Sequence, residues 1–156
     1  MGVKKTIAIV GATEKAGSEI AKRFSFIPYR LLLIDNDAEQ LSQLSSEISG
    51  QHPIAEFDSV ECVKDGCWEA DIIILAVAAS EEKPAAEKMK EVATQKIVVE
   101  ILNQELEQLL PFSKIVKVTG IPGNEIVICG KDEAVNEEIA EIFKQAGYQV
   151  AQIYKA

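Results

Sequence analysis

The sequence predicts an α/β fold, a doubly wound, mainly parallel sheet flanked by helices in a three-layer sandwich. Three observations lead there. The runs IAIV, LLLI, IIILAV and IVV lack polar alternation, as strands covered on both faces do. Segments of helical period separate most of these runs. The first run also breaks into a turn with two glycines, in IAIVGATEKAG, which leads directly into a helical pattern.

In chain order, β-like runs are expected at residues 6–10, 30–35, 53–57, 71–76, 96–101, 115–118, 126–129 and 149–153. Between the first two, residues 15–24 place Ala16, Ile20, Ala21 and Phe24 on one stripe. Asp37 is a side-chain cap for the next helix, AEQLSQLSSEI, in which Leu41, Leu44 and Ile48 recur at helical spacing. Asp132 stands in the same relation to EAVNEEIAEIFKQAG, with Val135, Ile139, Ile142 and Phe143 turned inward and Gly147 as the stop. Glu81-Glu82 and Glu137-Glu138 are expected at helix starts or on solvated faces, where negative charge suits the helix dipole. Trp68 is expected to be a packing residue in a short helical segment. The turn at Ile121-Pro122-Gly123 is an apolar loop that would serve as a lid or dimer contact if it were exposed.

With 156 residues and no repeat or linker, the chain is expected to form one domain, 1–156, that buries roughly 70% of its unfolded surface. The net charge of −9 argues against nucleic acid and anionic membrane as partners, since both need clustered Lys and Arg. No run approaches the roughly 18 to 20 apolar residues of a membrane span. No secretion signal is expected either, because the first apolar run is needed as a core strand. Three cysteines, an odd number, suit a reducing, cytoplasmic setting. Cys62 and Cys67 have no second pair, and His52 is the one histidine, so no metal centre is expected and the thiols read as buried or half-buried.

The chemistry concentrates in the first turn. A helix start offers unpaired N–H groups and partial positive charge, which together hold a pyrophosphate, and glycines let the backbone come close. Gly11 ends the first strand, and Gly17 sits where helix and strand must approach without a side chain between them. Ala12, Thr13, Glu14 and Lys15 form the turn between them, with the Thr13 hydroxyl as a phosphate donor. Asp35, 18 residues after Gly17, stands where a dinucleotide fold keeps an acceptor for ribose hydroxyls.

These residues, in this order, resemble the NADP oxidoreductase, coenzyme F420-dependent family, whose first turn typically reads G-x-T-G-x-x-G within a βαβ unit. ADIIILAVA (residues 70–78) resembles that family's fourth strand, EILN (100–103) its D-P-T-N segment, and PFSKIVKV (111–118) its later P-x-x-x-V-V-K strand. The resemblance covers most of the chain. It implies a Rossmann-like NAD(P)-binding domain and direct hydride transfer, with Ala76, Val77 and Asn103 lining the nicotinamide side. It implies no general acid, because hydride transfer needs two rings held face to face in a dry pocket. No catalytic residue is therefore assigned.

Three departures qualify what the resemblance implies. Glu14 replaces the middle glycine, and at about 4 Å from a phosphate, at an effective dielectric of 20, the repulsion would reach about 4 kcal/mol. Rotation into water or pairing with Lys15 would relieve most of it, so the expectation runs from weakened binding to no bound cofactor. Asp35-Asn36-Asp37 stands where NADP-binding members carry small and basic residues, which favours NAD over NADP. The segment after Asn103 is short and leaves little to hold a deazaflavin. The alternative to an oxidoreductase is a non-catalytic nucleotide-binding or protein-interaction module, a CoA-binding domain among the options. An enzyme of this size would need a second wall over the nicotinamide, supplied by a homodimer.

Overall fold

The computed structural model describes residues 5–101 and 106–156. Strands and helices alternate as β1 (Thr6–Val10), α1 (Lys15–Phe24), β2 (Arg30–Ile34), α2 (Ala38–Gly50), β3 (Glu56–Val60), α3 (Val63–Glu69) and β4 (Ile72–Leu75). They continue as α4 (Ala79–Met89), β5 (Ile97–Glu100), α5 (Leu106–Leu109), β6 (Lys114–Thr119), β7 (Glu125–Gly130), α6 (Glu133–Gln145) and β8 (Gln149–Lys155). The strands form one sheet in the order β3-β2-β1-β4-β5-β6-β7-β8. Every pairing is parallel except β6 with β7, which run antiparallel. The mainly parallel, doubly wound architecture read from the apolar runs is the one observed.

The unalternating runs are the central strands, whose residues are all buried in β1 and β4. Consecutive residues of a strand face opposite sides, so each run feeds two cores. Ile7 and Ile9 join Ile20, Phe24, Leu44, Ile48, Ile139 and Phe143 on the face covered by α1, α2 and α6. Ala8 and Val10 join Cys67, Ala86, Met89 and Leu106 on the face covered by α3, α4 and α5. Both aspartate caps form: Asp37 accepts from the Gln40 N–H at 3.1 Å and Asp132 from the Val135 N–H at 3.2 Å.

Some local expectations are corrected. The third strand lies three residues later than expected, at Glu56–Val60. Pro53 has no amide to donate, and the N–H groups of Ile54 and Ala55 are spent on the Ser25 carbonyl. Trp68 is 70% exposed and no packing residue, because α3 turns Gly66 and Cys67 to the core instead. Glu82 stands at a helix start as expected, in the first turn of α4, but is only 3% exposed. Cys62 is exposed, while Cys67 is buried and Cys129 half-buried. In the Ile121-Pro122-Gly123 turn, Ile121 packs on the core and the Gly123 N–H donates to Glu19 Oε2 at 3.4 Å, while Pro122 is exposed.

Candidate functional site

Strand order reverses at β1, whose chain continues outward to β2 and β3 while β4 pairs on its other side. The helices that follow β1 and β4 leave to opposite faces, which opens a crevice beyond the carboxyl ends of the strands. A cleft of about 640 Å³ occupies that place. Its floor is Val10, Gly11 and Ile34, its rim Asp35, Asn36 and Glu61 to Lys64, and its far wall Val77 and one side of α4.

The β1–α1 turn is held by backbone contacts that exclude side chains. Gly11 has φ +86°, and a Cβ there would meet the Ala76 carbonyl and the Val77 nitrogen at 2.8 Å. A Cβ on Gly17 would sit 2.1 Å from the Gly11 oxygen. Glycine at both ends of the turn is therefore a packing requirement that brings the start of α1 against β1 and β4. The Gly11 and Ala12 N–H groups both donate to the Ile34 carbonyl, at 2.9 and 3.1 Å, which ties the turn to the end of β2. Ala12 is fully buried.

Glu14 occupies the N-cap position of α1 in extended backbone, and its carboxylate makes no capping hydrogen bond. Its side chain is exposed and lines the cleft. The first turn of α1 carries no acidic residue, and the Glu14 carboxylate at its N-cap makes no hydrogen bond to its N–H groups. Lys15, the first helical residue, is exposed and stands outside the cleft lining.

Thr13 and Asp35 meet directly. The Thr13 hydroxyl donates to Asp35 Oδ2 at 2.6 Å and the Thr13 N–H to the same oxygen at 3.1 Å. Asp35 Oδ1 accepts from the Asp37 N–H at 3.0 Å. A carboxylate offers about four acceptor positions, so Asp35 straps the turn to the end of β2 and retains capacity for one further donor. The Thr13 hydroxyl, expected to face a phosphate, is committed to that strap in this state.

The structure thus brings Gly11, Glu14, Asp35 and Val77 together around one cleft, with Ala12, Thr13, Gly17 and Ala76 as its backing. Asn103 lies outside the described residues. Sequence reasoning missed Glu61 to Lys64 and the α4 wall. Moving the third strand to 56–60 puts Glu61 just past its carboxyl end, so the misplaced strand hid one side of the site. The α4 wall comes from a helix distant in sequence, and no spacing announces it.

The lining is acidic: Glu14, Asp35, Glu61, Glu81, Glu87 and Glu91 face two lysines. One of these, Lys64, already pairs with Glu91 at 3.5 Å. Among the described residues no cluster of three or more His, Cys, Asp or Glu is placed to hold a metal ion. No helix among them is long and apolar enough to cross a membrane.

The chain matches no family model, and no curated protein sequence matches it significantly. Solved structures do resemble it. A candidate F420-dependent NADP-reductase from Arthrobacter sp. FB24 is 19% identical with TM-score 0.74, over 96% of this chain and 84% of that one. Plasmodium falciparum pyrroline carboxylate reductase with NADP bound is 15% identical with TM-score 0.73, over 97% of this chain and 59% of that one. Prephenate dehydrogenase from A. aeolicus, in complex with hydroxyphenyl propionate and NAD+, is 14% identical with TM-score 0.75, over 99% and 61%. The chain therefore spans about three-fifths of the length of the latter two. At these identities the likeness shows the fold, and the chain has a Rossmann-like α/β architecture.

Proposed function

We propose that the chain, as a single domain, binds a nicotinamide dinucleotide in the switch-point cleft and serves direct hydride transfer, in the manner of the F420-dependent NADP oxidoreductases it resembles. The observation that carries this reading is the Gly11–Gly17 contact. That contact leaves no room for a side chain between strand and helix start, as a close pyrophosphate approach to a helix N-terminus requires. The tight turn supports a pyrophosphate site, and the one acceptor position left on Asp35 supports a contact with a ribose hydroxyl. The nicotinamide would supply the hydride. The chain's own part is to orient the ring beside Ala76 and Val77 and to keep water out.

The acidic lining favours NAD over NADP, because a 2′-phosphate beside Asp35 and Glu61 would add charge to a rim that already repels it. A homodimer would supply the missing wall on the nicotinamide side. The second reading, a nucleotide-binding module without catalysis, is favoured by two observations: Thr13 and Asp35 satisfy each other, and Glu14 sets a carboxylate on the cleft lining.

The test is excitation of the lone Trp68 with NADH as energy acceptor and CoA as competitor, followed by NADH oxidation assays with deazaflavin and carbonyl acceptors. Saturable energy transfer together with acceptor-dependent oxidation supports the oxidoreductase reading. Saturable transfer without turnover favours the module, and displacement of NADH by CoA alone points to a CoA site.

A further inference from the structure

Away from the glycine turn, two carboxyls are buried side by side at the carboxyl end of the sheet. Glu82 is 3% exposed in the first turn of α4, and Glu100 is 1% exposed at the end of β5. Glu100 Oε2 accepts from the Leu106 N–H of α5 at 3.2 Å. Among the described residues, Glu100 Oε1 and Glu82 Oε1 have no donor. The two carboxyls nevertheless lie within hydrogen-bonding reach of each other. Two bare carboxylates in such a place would repel, and each would leave a buried oxygen unpaired, at high cost. One proton between them removes a charge and supplies the missing donor to both.

We propose that Glu82 and Glu100 share a single proton, and that this proton clamps the first turn of α4 to the end of β5, making the α4 wall of the cleft sensitive to pH. Among the described residues, the nearby charges offset the pair only weakly. From β6, Lys117 reaches Glu100 Oε1 only at 4.0 Å. From α5, Glu107 is turned to Lys131 at 3.3 Å. On α4 itself, Glu81 and Lys83 are exposed, and Glu81 lines the cleft. β4 contributes Leu75, the register partner of Glu100.

Burial and the facing Glu82 push Glu100 up to about 8, and burial raises Glu82 as well. Both carboxyls are raised by their burial, and the one proton belongs to the pair. A folded-state pKa raised above the ordinary glutamate value of 4.5 gives a contribution that is complete below that value. The contribution is lost as pH rises through about 8. Loss of the proton sets two like charges against each other beneath α4, which carries Glu81, Ala85 and Lys88 of the cleft wall.

The test follows glutamate side-chain carboxyl resonances of the ¹³C-labelled protein from about pH 4 to about pH 10, together with amide hydrogen exchange at residues 79–83. One glutamate is expected to titrate near pH 8, and its step to vanish in Glu100→Gln. The glutamine amide donates to Glu82 as the protonated acid does. Exchange at the start of α4 should climb above the intrinsic base-catalysed rate as the wild type passes that pH, and should not do so in Glu100→Gln. If every glutamate of the folded wild type titrates in the ordinary carboxylate range, or if exchange is the same in both proteins, the clamp does not exist. Should the variant fail to fold, the wild-type titration decides alone. The consequence for the cleft rests on its reading as a nucleotide site, but the carboxyls are read directly, so the two ideas fail separately.

Discussion

A methyl group at position 17 would collide with the carbonyl of Gly11, and that collision is the tightest at any described glycine. Gly17→Ala is expected to cost about 1–3 kcal/mol by overpacking, read as a lower urea midpoint. Gly50 is the matched control: a Cβ added there would meet nothing within 4 Å, and Gly50→Ala should be neutral or slightly stabilising. Glu14→Gly should leave stability within a few tenths of a kcal/mol, because glycine is tolerated at an N-cap. It should tighten NADH binding about tenfold, equivalent to about 1.4 kcal/mol, by removing a charge from the cleft mouth; calorimetry on both proteins reads the difference. Much of this site was legible in the sequence, since glycine spacing reports a backbone requirement that no other residue meets. The Thr13–Asp35 strap was not legible. Both residues were read as ligand contacts, and only the direction of their side chains shows that they first serve each other.

At the level of elements, the caps and the sheet edges make the clearest predictions. Asp37→Ala and Asp132→Ala each remove a side-chain acceptor from a helix start, and each should lower stability by about 1 kcal/mol in denaturant titration. Hydrogen exchange should be slowest in β1 and β4, whose residues are all buried, and fastest in β3 and β8, the two edges of the sheet. If β8 proves as protected as β1, something covers that edge in solution. Buried parallel strands announce themselves as unbroken apolar runs, so the centre of the sheet could be read directly. The edge strand β3, EFDSV, has no such run, and its place depends on which amides Pro53 and Ser25 leave free. The burial of Glu82 was hidden for a related reason: a carboxylate in a first helical turn looks solvated until what packs over it is known.

Over the whole molecule the charge of −9 and the carboxylate-rich cleft act together. Most nucleotide sites lose affinity in salt because cations of the site are screened. Here the fixed charge is negative, so raising ionic strength from about 20 to about 300 mM, which shortens the Debye length to well under about 10 Å, should tighten dinucleotide binding. The same field should act more strongly on the extra phosphate of NADPH than on NADH. The most direct measurement is calorimetric titration of the purified protein with NADH and with NADPH under matched salt. Micromolar NADH binding, with NADPH weaker by about tenfold or more, is the predicted result. Absence of heat with either nucleotide up to millimolar concentration, in a protein that unfolds cooperatively, would contradict the account.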